Sequence, residues 1–414
     1  MEDWDVVIIG AGAAGLLAAA RAAERGRAVL LLEKNRKAGV KILMSGGTRC
    51  NITHHTDARG IVAAYGKPGR FLHSALAALG PREVVALFEA EGVGTKVEST
   101  GKVFPVSDRA LDVRDALVRR LERSGAVLAL GEPALSLSRS GEGFEVVTPQ
   151  RKILARKLLV TSGGKSYPGC GTIGEGYGWA TQFGHSIVPP KPALVPIVCP
   201  EPWLRALSGI TIPKVGVRVI DPALAGGKNR GLLAEYCGSF LFTHFGLSGP
   251  APLNVSRAIS GHPRPSSLRL ECDFLPDILA AELDARLQRA STGAGKRALA
   301  SFLEELPQRL TETLTERAGM DPKRRAAELA RADRAALVAA AKSLSVAVAG
   351  TLGFEKAEVT AGGVALEEVD SRTLESKLAP NLYFAGEVLD LDGPIGGFNF
   401  QAAFSTGWLA AENL

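Results

Sequence analysis

Apolar positions at the start of the chain fall into two unbroken runs separated by glycine. Val6 to Ile9 form the first, which predicts a strand covered on both faces of a parallel sheet. Gly10, Gly12 and Gly15 follow in GxGxxG spacing, Leu16 to Arg25 read as a helix ended by Gly26, and Ala28 to Leu32 form a second buried strand finishing at Glu33. Further on, apolar spacing predicts helix over 70–92 and from Leu111 to Arg123, with a short strand from Lys102 to Val106 between them. Short strands are expected at Ala126–Leu130, Leu135–Ser138, Phe144–Thr148 and Ile153–Ala155, together a β-meander, before Lys157 to Thr161 return to a buried strand. The prolines between Ile187 and Pro202 exclude a helix and mark a boundary. Beyond it, strands at Val215–Ile220, Gly238–Thr243 and Ser267–Asp273 indicate a small β domain. Within that domain Ser248 is placed to cap a helix from Ala251 to Ile259, with Pro250 near its first position. Residues 276–346 read as helical, broken at Pro307 and at Gly319 to Pro322. Val359–Val364 and Leu382–Ala385 are strands, Gly393 to Gly397 a flexible loop, and Asn399 to Leu409 a closing helix.

The first of these patterns carries chemistry. Gly10 permits the turn out of the strand, Gly12 has no Cβ to hold off a pyrophosphate, and Gly15 lets the helix pack close to the sheet. The helix start, with Ala13 and Ala14, offers free N–H groups and a positive dipole end to phosphates. Glu33 can accept both hydroxyls of an adenosine ribose and would repel a 2′-phosphate, which disfavours NADP here. Residues 34–54 read as a long loop that wraps the ligand, with Lys34, Lys41, Arg49, Cys50 and Asn51 as candidate contacts and Ser45-Gly46-Gly47 bringing backbone N–H groups close. Ser162, Gly163 and Gly164 end the third buried strand, where ligands of open α/β sheets sit. A second GxGxxG, Gly169 to Gly174, follows Pro168 rather than a strand and has no acid at ribose distance. It reads as a covering loop leading into a helix from Gly176 to Phe183.

Composition narrows the class. At 414 residues the chain exceeds one typical core, and 46% hydrophobic with 22% charged residues fits a globular protein. The net charge of +6 permits an anionic partner without requiring one. Cys50, Cys170, Cys199, Cys237 and Cys272 are scattered, with no CxxC pair, so neither a disulfide framework nor a metal site is expected. The amino terminus is acidic and glycine-interrupted, unlike a signal peptide, and no apolar run is long enough to span a membrane. A cytoplasmic location without membrane contact or an evident stable protein partner is expected.

A Rossmann unit at the start and a strand–Gly386–Glu387 and Gly396–Gly397–helix unit at the end suggest one long ligand touching both. FAD fits: adenosine on Gly10 to Glu33, ribityl chain on Glu387, and the helix that follows Gly397, with Phe398 and Asn399, aimed at the flavin edge where negative charge develops on reduction. The segments GAGAAGLLAA, SGGTRCNITH, TSGGKSYP with GEGYGWA, LFTHFGLSGP, TAGGV and LYFAGEVLDLDGPIGGFNFQAA together resemble the BaiN/YhiN-type FAD-dependent oxidoreductases of bacteria over essentially the whole chain. There are two departures. Thr48 stands where a third glycine is usual, and Cys170 stands where the family more often has threonine, which speaks against a general catalytic role for Cys170.

The resemblance implies an α/β architecture: a two-part Rossmann-like FAD-binding domain (1–190 and 353–414), an inserted β domain (191–275) and a helical segment (276–352). It implies a reductase of an activated C=C bond, with hydride from reduced flavin N5 and a proton from an acid. Cys50, close to the flavin by family position, and His244, from the inserted domain, are the candidate proton donors. The substrate is either a small unsaturated molecule or a uracil base of ribosomal RNA, the latter requiring base extrusion. NAD(P)H is the expected transient electron donor. The remaining alternative is a flavoprotein with a mainly structural or binding role.

Overall fold

A computed structural model describes residues 2–224, 226, 229–293 and 303–414. The chain divides into two compact units, residues 1–192 with 357–414, and residues 193–356.

The first unit is built on a seven-stranded sheet. Strand β1 (Glu2–Ile9) is followed by helix α1 (Ala13–Glu24) and strand β2 (Val29–Glu33). Val6, Val7 and Ile8 of β1 are wholly buried, as are all five residues of β2, because helices cover both faces of a parallel sheet. β1 pairs in parallel with β2 on one side and with Lys152–Val160 on the other, and β2 pairs in parallel with Val127–Leu130 at the edge. The last of these corrects the four-strand meander. Val127–Leu130 follows the helix Ala110–Ser124 and so completes a crossover onto the parallel sheet, leaving Ser136–Ser140 and Gly143–Val147 as the antiparallel addition.

The third parallel strand is one element, not the two expected. Lys152–Val160 runs through Arg156 and Lys157, whose charges interrupt the apolar pattern. Arg156 reaches Asp5 at 3.0 Å, and Lys157 donates to the Asn413 carbonyl at 2.7 Å. The interruption falls where the strand changes neighbours. Lys152 to Ala155 pair antiparallel with Gly143–Val147, whereas Leu158 to Val160 pair in parallel with Leu382–Phe384. The carboxyl-terminal helix Phe398–Asn413 lies directly on α1, since a Cβ at Gly407 would come within 2.6 Å of the Ala14 carbonyl oxygen. Arg21 and Arg25 fasten the pair through Glu412, at 2.6 and 2.7 Å.

The segment 34–54 is less open than a loop. Val40–Met44 form a short helix because Ile42 turns into the core, and Thr53–His54 pair with Lys102–Val103 in a small three-stranded sheet. The expected helix over 70–92 is divided into His73–Ala78 and Pro81–Ala90, with Leu79 extended between them.

The second unit carries its own seven-stranded sheet, with Thr211–Ile220 and Leu232–Thr243 as its long central pair. Phe240, Phe242 and Phe274 centre a core shared with Leu287, Leu310, Leu314 and Leu337 of the helices Ala280–Gly293, Gln308–Arg317 and Arg331–Lys342. Leu344–Ala347, expected as helix, is a strand paired antiparallel with Arg269–Cys272, where alternate side chains are buried. The part of the expected helical segment at 294–302 lies outside the described residues. Ser248 does not cap the helix Pro250–Ser260. It belongs to a strand paired with Leu241, and Gly249, at φ +86°, precedes the helix without a side-chain cap. Among the described residues no single helix is long and apolar enough to cross a membrane.

Candidate functional site

The parallel strands of the first unit present their carboxyl ends on one side, and most of the residues singled out in the sequence gather there. At the end of β1 the glycines have different surroundings. A Cβ on Gly15 would collide with the Gly10 carbonyl and the Thr161 hydroxyl, whereas a Cβ on Gly12 would meet nothing within 4 Å. Gly15 is therefore needed for packing, and Gly12 fronts open space at the start of α1, which has no side-chain cap. That opening, beside free helix N–H groups at Ala13 and Ala14, fits a pyrophosphate.

At the end of β2, Glu33 is 8% exposed. Its Oε2 accepts from Ala11 N–H at 2.9 Å and its Oε1 from Asn35 N–H at 2.8 Å, which fixes the carboxylate at the rim of the turn. Lys34 pairs with Glu175 at 2.5 Å, and Asn35 Nδ2 donates to the Cys170 carbonyl at 3.0 Å. The second glycine pattern thus packs against the segment after β2, and Gly174 begins the helix Glu175–Gln182. Two buried hydroxyls in this part of the unit, Ser162 Oγ and Tyr177 Oη, have no protein partner, as groups awaiting a polar ligand would.

Three segments converge on Glu387, which follows the strand Leu382–Phe384 and Gly386. Lys41 Nζ lies 2.6 Å from its Oε2. Ser166 Oγ donates to Oε1 at 2.7 Å, and Thr360 N–H donates to the same oxygen at 2.9 Å. Lys41 also donates to Ser166 at 2.5 Å. Gly164 abuts Thr360 and Glu387, and Gly163, at φ +73°, turns the chain away from the strand.

The loop Ser45–Asn51 is wound against its preferences. Gly46, Gly47, Thr48 and Cys50 have φ of +55°, +67°, +70° and +59°. Thr48, where a third glycine is usual, is a β-branched residue in the left-handed region. Ser45 Oγ donates to the Ile42 carbonyl at 2.7 Å. Arg49 is held by Asp108 at 2.8 Å and by Glu98, and lies 4.0 Å over the Phe104 ring, so its charge is met within the protein. Cys50 is fully buried, and burial pushes its thiol up to about 12.

Asn51 reaches the other end of the chain. With its amide oxygen toward Gly397, it accepts from that N–H at 2.9 Å, and its nitrogen donates to the Thr53 carbonyl at 3.0 Å. His54 Nδ1 lies 3.0 Å from the Gly396 carbonyl, and its ring stacks on Phe398 at 4.7 Å. Asn399 closes the Gly393 loop on itself, accepting from Gly393 N–H at 2.8 Å and donating to its carbonyl at 2.9 Å. Tyr65, whose hydroxyl donates to the Phe398 carbonyl at 3.0 Å, braces the same turn. The helix beginning at Phe398 has no side-chain cap and is set by contacts from residues 51–65.

Sequence reasoning missed Tyr65, Ser166, Tyr167, Tyr177, Glu358 and Thr360. The adjacency of Ser166 and Tyr167 to the Gly163-Gly164 pair was the available signal. His244 is the other candidate proton donor. It lies exposed in the second unit, at the turn between Leu232–Thr243 and Gly246–Ser248, with its ring edge on Phe245.

Comparison with known proteins shows the family. The family described as the HI0933-like protein Rossmann domain matches residues 4–413. The chain is 35% identical over 422 residues to the ribosomal RNA dihydrouridine synthase of Escherichia coli, covering 100% of this chain and 98% of that one. It is 33% identical over 410 residues to the 3-dehydro-bile acid delta(4,6)-reductase of Clostridium scindens, covering 98% of this chain and 97% of that one. Among solved structures, the 3-ketosteroid delta1-dehydrogenase of Sterolibacterium denitrificans shares the fold, with a TM-score of 0.51 at 14% identity over 100% of this chain and 99% of that one. With the family pattern running through both halves of the dinucleotide site, the chain belongs to the HI0933-like family of FAD-dependent oxidoreductases, on a Rossmann-like FAD-binding α/β fold.

Proposed function

We propose that the protein reduces a C=C bond conjugated to a carbonyl, and that its substrate is a uracil base in ribosomal RNA. The observation that carries the reading is the end-to-end similarity to two relatives whose names describe the same kind of step on different molecules, saturation of uracil and of a delta(4,6) keto steroid. The net charge of +6 favours the RNA over the steroid, because phosphate contacts dominate nucleic-acid affinity.

Bound FAD would supply the hydride. The chain's own residues hold and tune it. Gly12 and the α1 N-terminus would receive the pyrophosphate, Glu33 the adenosine ribose, and Glu387, with its charge balanced by Lys41, the ribityl hydroxyls. The uncapped, positive end of the helix beginning at Phe398 would stabilise negative charge on the reduced flavin. Ser45, Gly46 and the Ser162–Gly164 turn line the remaining wall, and Cys50 packs behind the Ser45–Gly47 turn. NAD(P)H would act as a visiting electron donor, because the second glycine pattern is occupied with packing against Lys34 and Asn35.

The test is mass analysis of uridines in ribosomal RNA from a deletion strain beside its parent. Loss of one dihydrouridine, restored by the gene but not by a Gly12→Val copy, is the expected result. Unchanged RNA would move the substrate to small unsaturated ketones.

A further inference from the structure

Tyr167 combines two unfavourable backbone conditions. Its φ and ψ are +54° and +63°, in the left-handed region where a bulky side chain is an outlier, and it precedes Pro168, which disfavours compact backbone at the residue before it. Such a conformation persists only where the surroundings impose it. Here they do. Thr360 Oγ1 accepts from the N–H groups of Lys165 and Ser166 at 2.8 and 3.0 Å, Ser166 Oγ is tied to Glu387, and Thr172 Oγ1 donates to the carbonyls of Ser166 and Tyr167.

The strained turn sets the phenol against a carboxyl group. The Tyr167 hydroxyl donates to Glu358 Oε1 at 3.3 Å, and the charged and titratable groups around the pair are Lys41, Glu387 and Cys170. Burial pushes Glu358 upward from its ordinary value, and burial together with the Glu358 carboxylate pushes the phenol up to about 12, so the phenol holds its proton. Tyr167 is only half-buried, on the loop that crosses the carboxyl end of Lys152–Val160, one residue from the Ser166 that binds Glu387.

We propose that Tyr167 is the acid that delivers the proton in the reduction, with Glu358 behind it as the acceptor that orients its hydroxyl. The assignment rests on the reductase reading above. Reduction adds a hydride, from the reduced flavin of bound FAD, to one carbon of the C=C bond and leaves negative charge on the conjugated carbonyl system. The Tyr167 O–H bond breaks and its proton forms the new C–H bond at the neighbouring carbon. The phenolate left on Oη recovers its proton from water, which reaches the half-buried side chain, and the hydroxyl returns to Glu358. Cys50 is sealed from solvent, whereas Tyr167 is half-buried on the rim of the proposed FAD site, with Glu358 accepting from its hydroxyl.

The test is anaerobic single turnover of the dithionite-reduced holoenzyme with two probes, a uridine-containing ribosomal RNA fragment and a 3-keto-4,6-diene bile acid. Tyr167→Phe should bind FAD within about threefold of wild type, by calorimetric titration of the apoprotein, yet transfer to the accepted probe about 100-fold more slowly. Because Glu358 raises the phenol, Glu358→Gln should shift the alkaline fall of the rate to lower pH. Turnover of Tyr167→Phe within threefold of wild type, or an unmoved alkaline fall in Glu358→Gln, overturns the assignment while leaving the reductase reading intact. A wild-type protein reoxidised by neither probe overturns both.

Discussion

Lys41 and Glu387 form an ion pair of 2.6 Å across 346 residues of sequence. The pair joins the segment after β2 to the last strand of the sheet, so it ties the two ends of the dinucleotide site together. Glu387 also accepts from Ser166 and Thr360, which satisfies both of its oxygens. Removing the cation leaves a part-buried carboxylate in place without its counter-charge. Lys41→Met is expected to weaken FAD binding about tenfold, or ~1.4 kcal/mol, and Glu387→Ala more, as read by titration of apoprotein with FAD followed through flavin fluorescence.

Gly12 and Gly15 should fail in different ways. Gly15→Ala forces a Cβ into the Gly10 carbonyl and should lower the thermal midpoint of the apoprotein. At Gly12 a Cβ meets no protein atom within 4 Å, so a Gly12→Val apoprotein should melt close to wild type while FAD binding is lost. Melting curves with and without FAD separate the two.

Thr48 carries a φ of +70° in a loop whose neighbours are glycines. A left-handed β-branched residue costs roughly 1–2 kcal/mol, and a glycine returns part of that through the freedom of the unfolded chain. Thr48→Gly should therefore stabilise the protein by about 0.5–1 kcal/mol, measured by urea unfolding of the apoprotein. No gain would mean that the Thr48 side chain compensates its own backbone.

His185 gives a pH dependence of definite sign. It is 3% exposed, with Nε2 2.7 Å from Ser376 Oγ and Nδ1 3.2 Å from Glu368 Oε2. Burial pulls the imidazole below its ordinary 6.5, against the opposing pull of Glu368. The unfolded chain therefore takes up the proton first as pH falls. Stability should drop as the pH is lowered from about 6.5 toward the folded-state value. Calorimetric melts from pH 8 to about pH 5 should show this fall, and His185→Gln should flatten it.

The sequence was readable where one physical requirement acted alone. Unbroken apolar runs at Val6–Ile9 and Val29–Leu32 report two-sided burial, and Gly12 reports a backbone left open at the start of α1. It was misleading where two requirements met in one residue. Arg156 and Lys157 broke the pattern of a continuous strand because their side chains serve Asp5 and the carboxyl terminus while their backbone serves the sheet. Ser248 has the chemistry of a cap but is held in a strand by Leu241. The Tyr167–Glu358 pair could not be read as a pair, since it joins residues 191 apart and only Tyr167, close to Gly163-Gly164, carried a local signal.

The divided pairing of Lys152–Val160 bears on how the protein is made. Its first half finds Gly143–Val147 a few residues upstream, so that hairpin can close while the nascent chain is still emerging. Its second half has no partner on that side until Leu382–Phe384 leaves the ribosome, after the whole second unit has been synthesised. During that interval Leu158 to Val160 form an open, apolar edge, and completion of the first unit's sheet is deferred to the end of translation. Chaperone demand should therefore concentrate on the amino-terminal unit and end when the carboxyl-terminal strand and helix arrive.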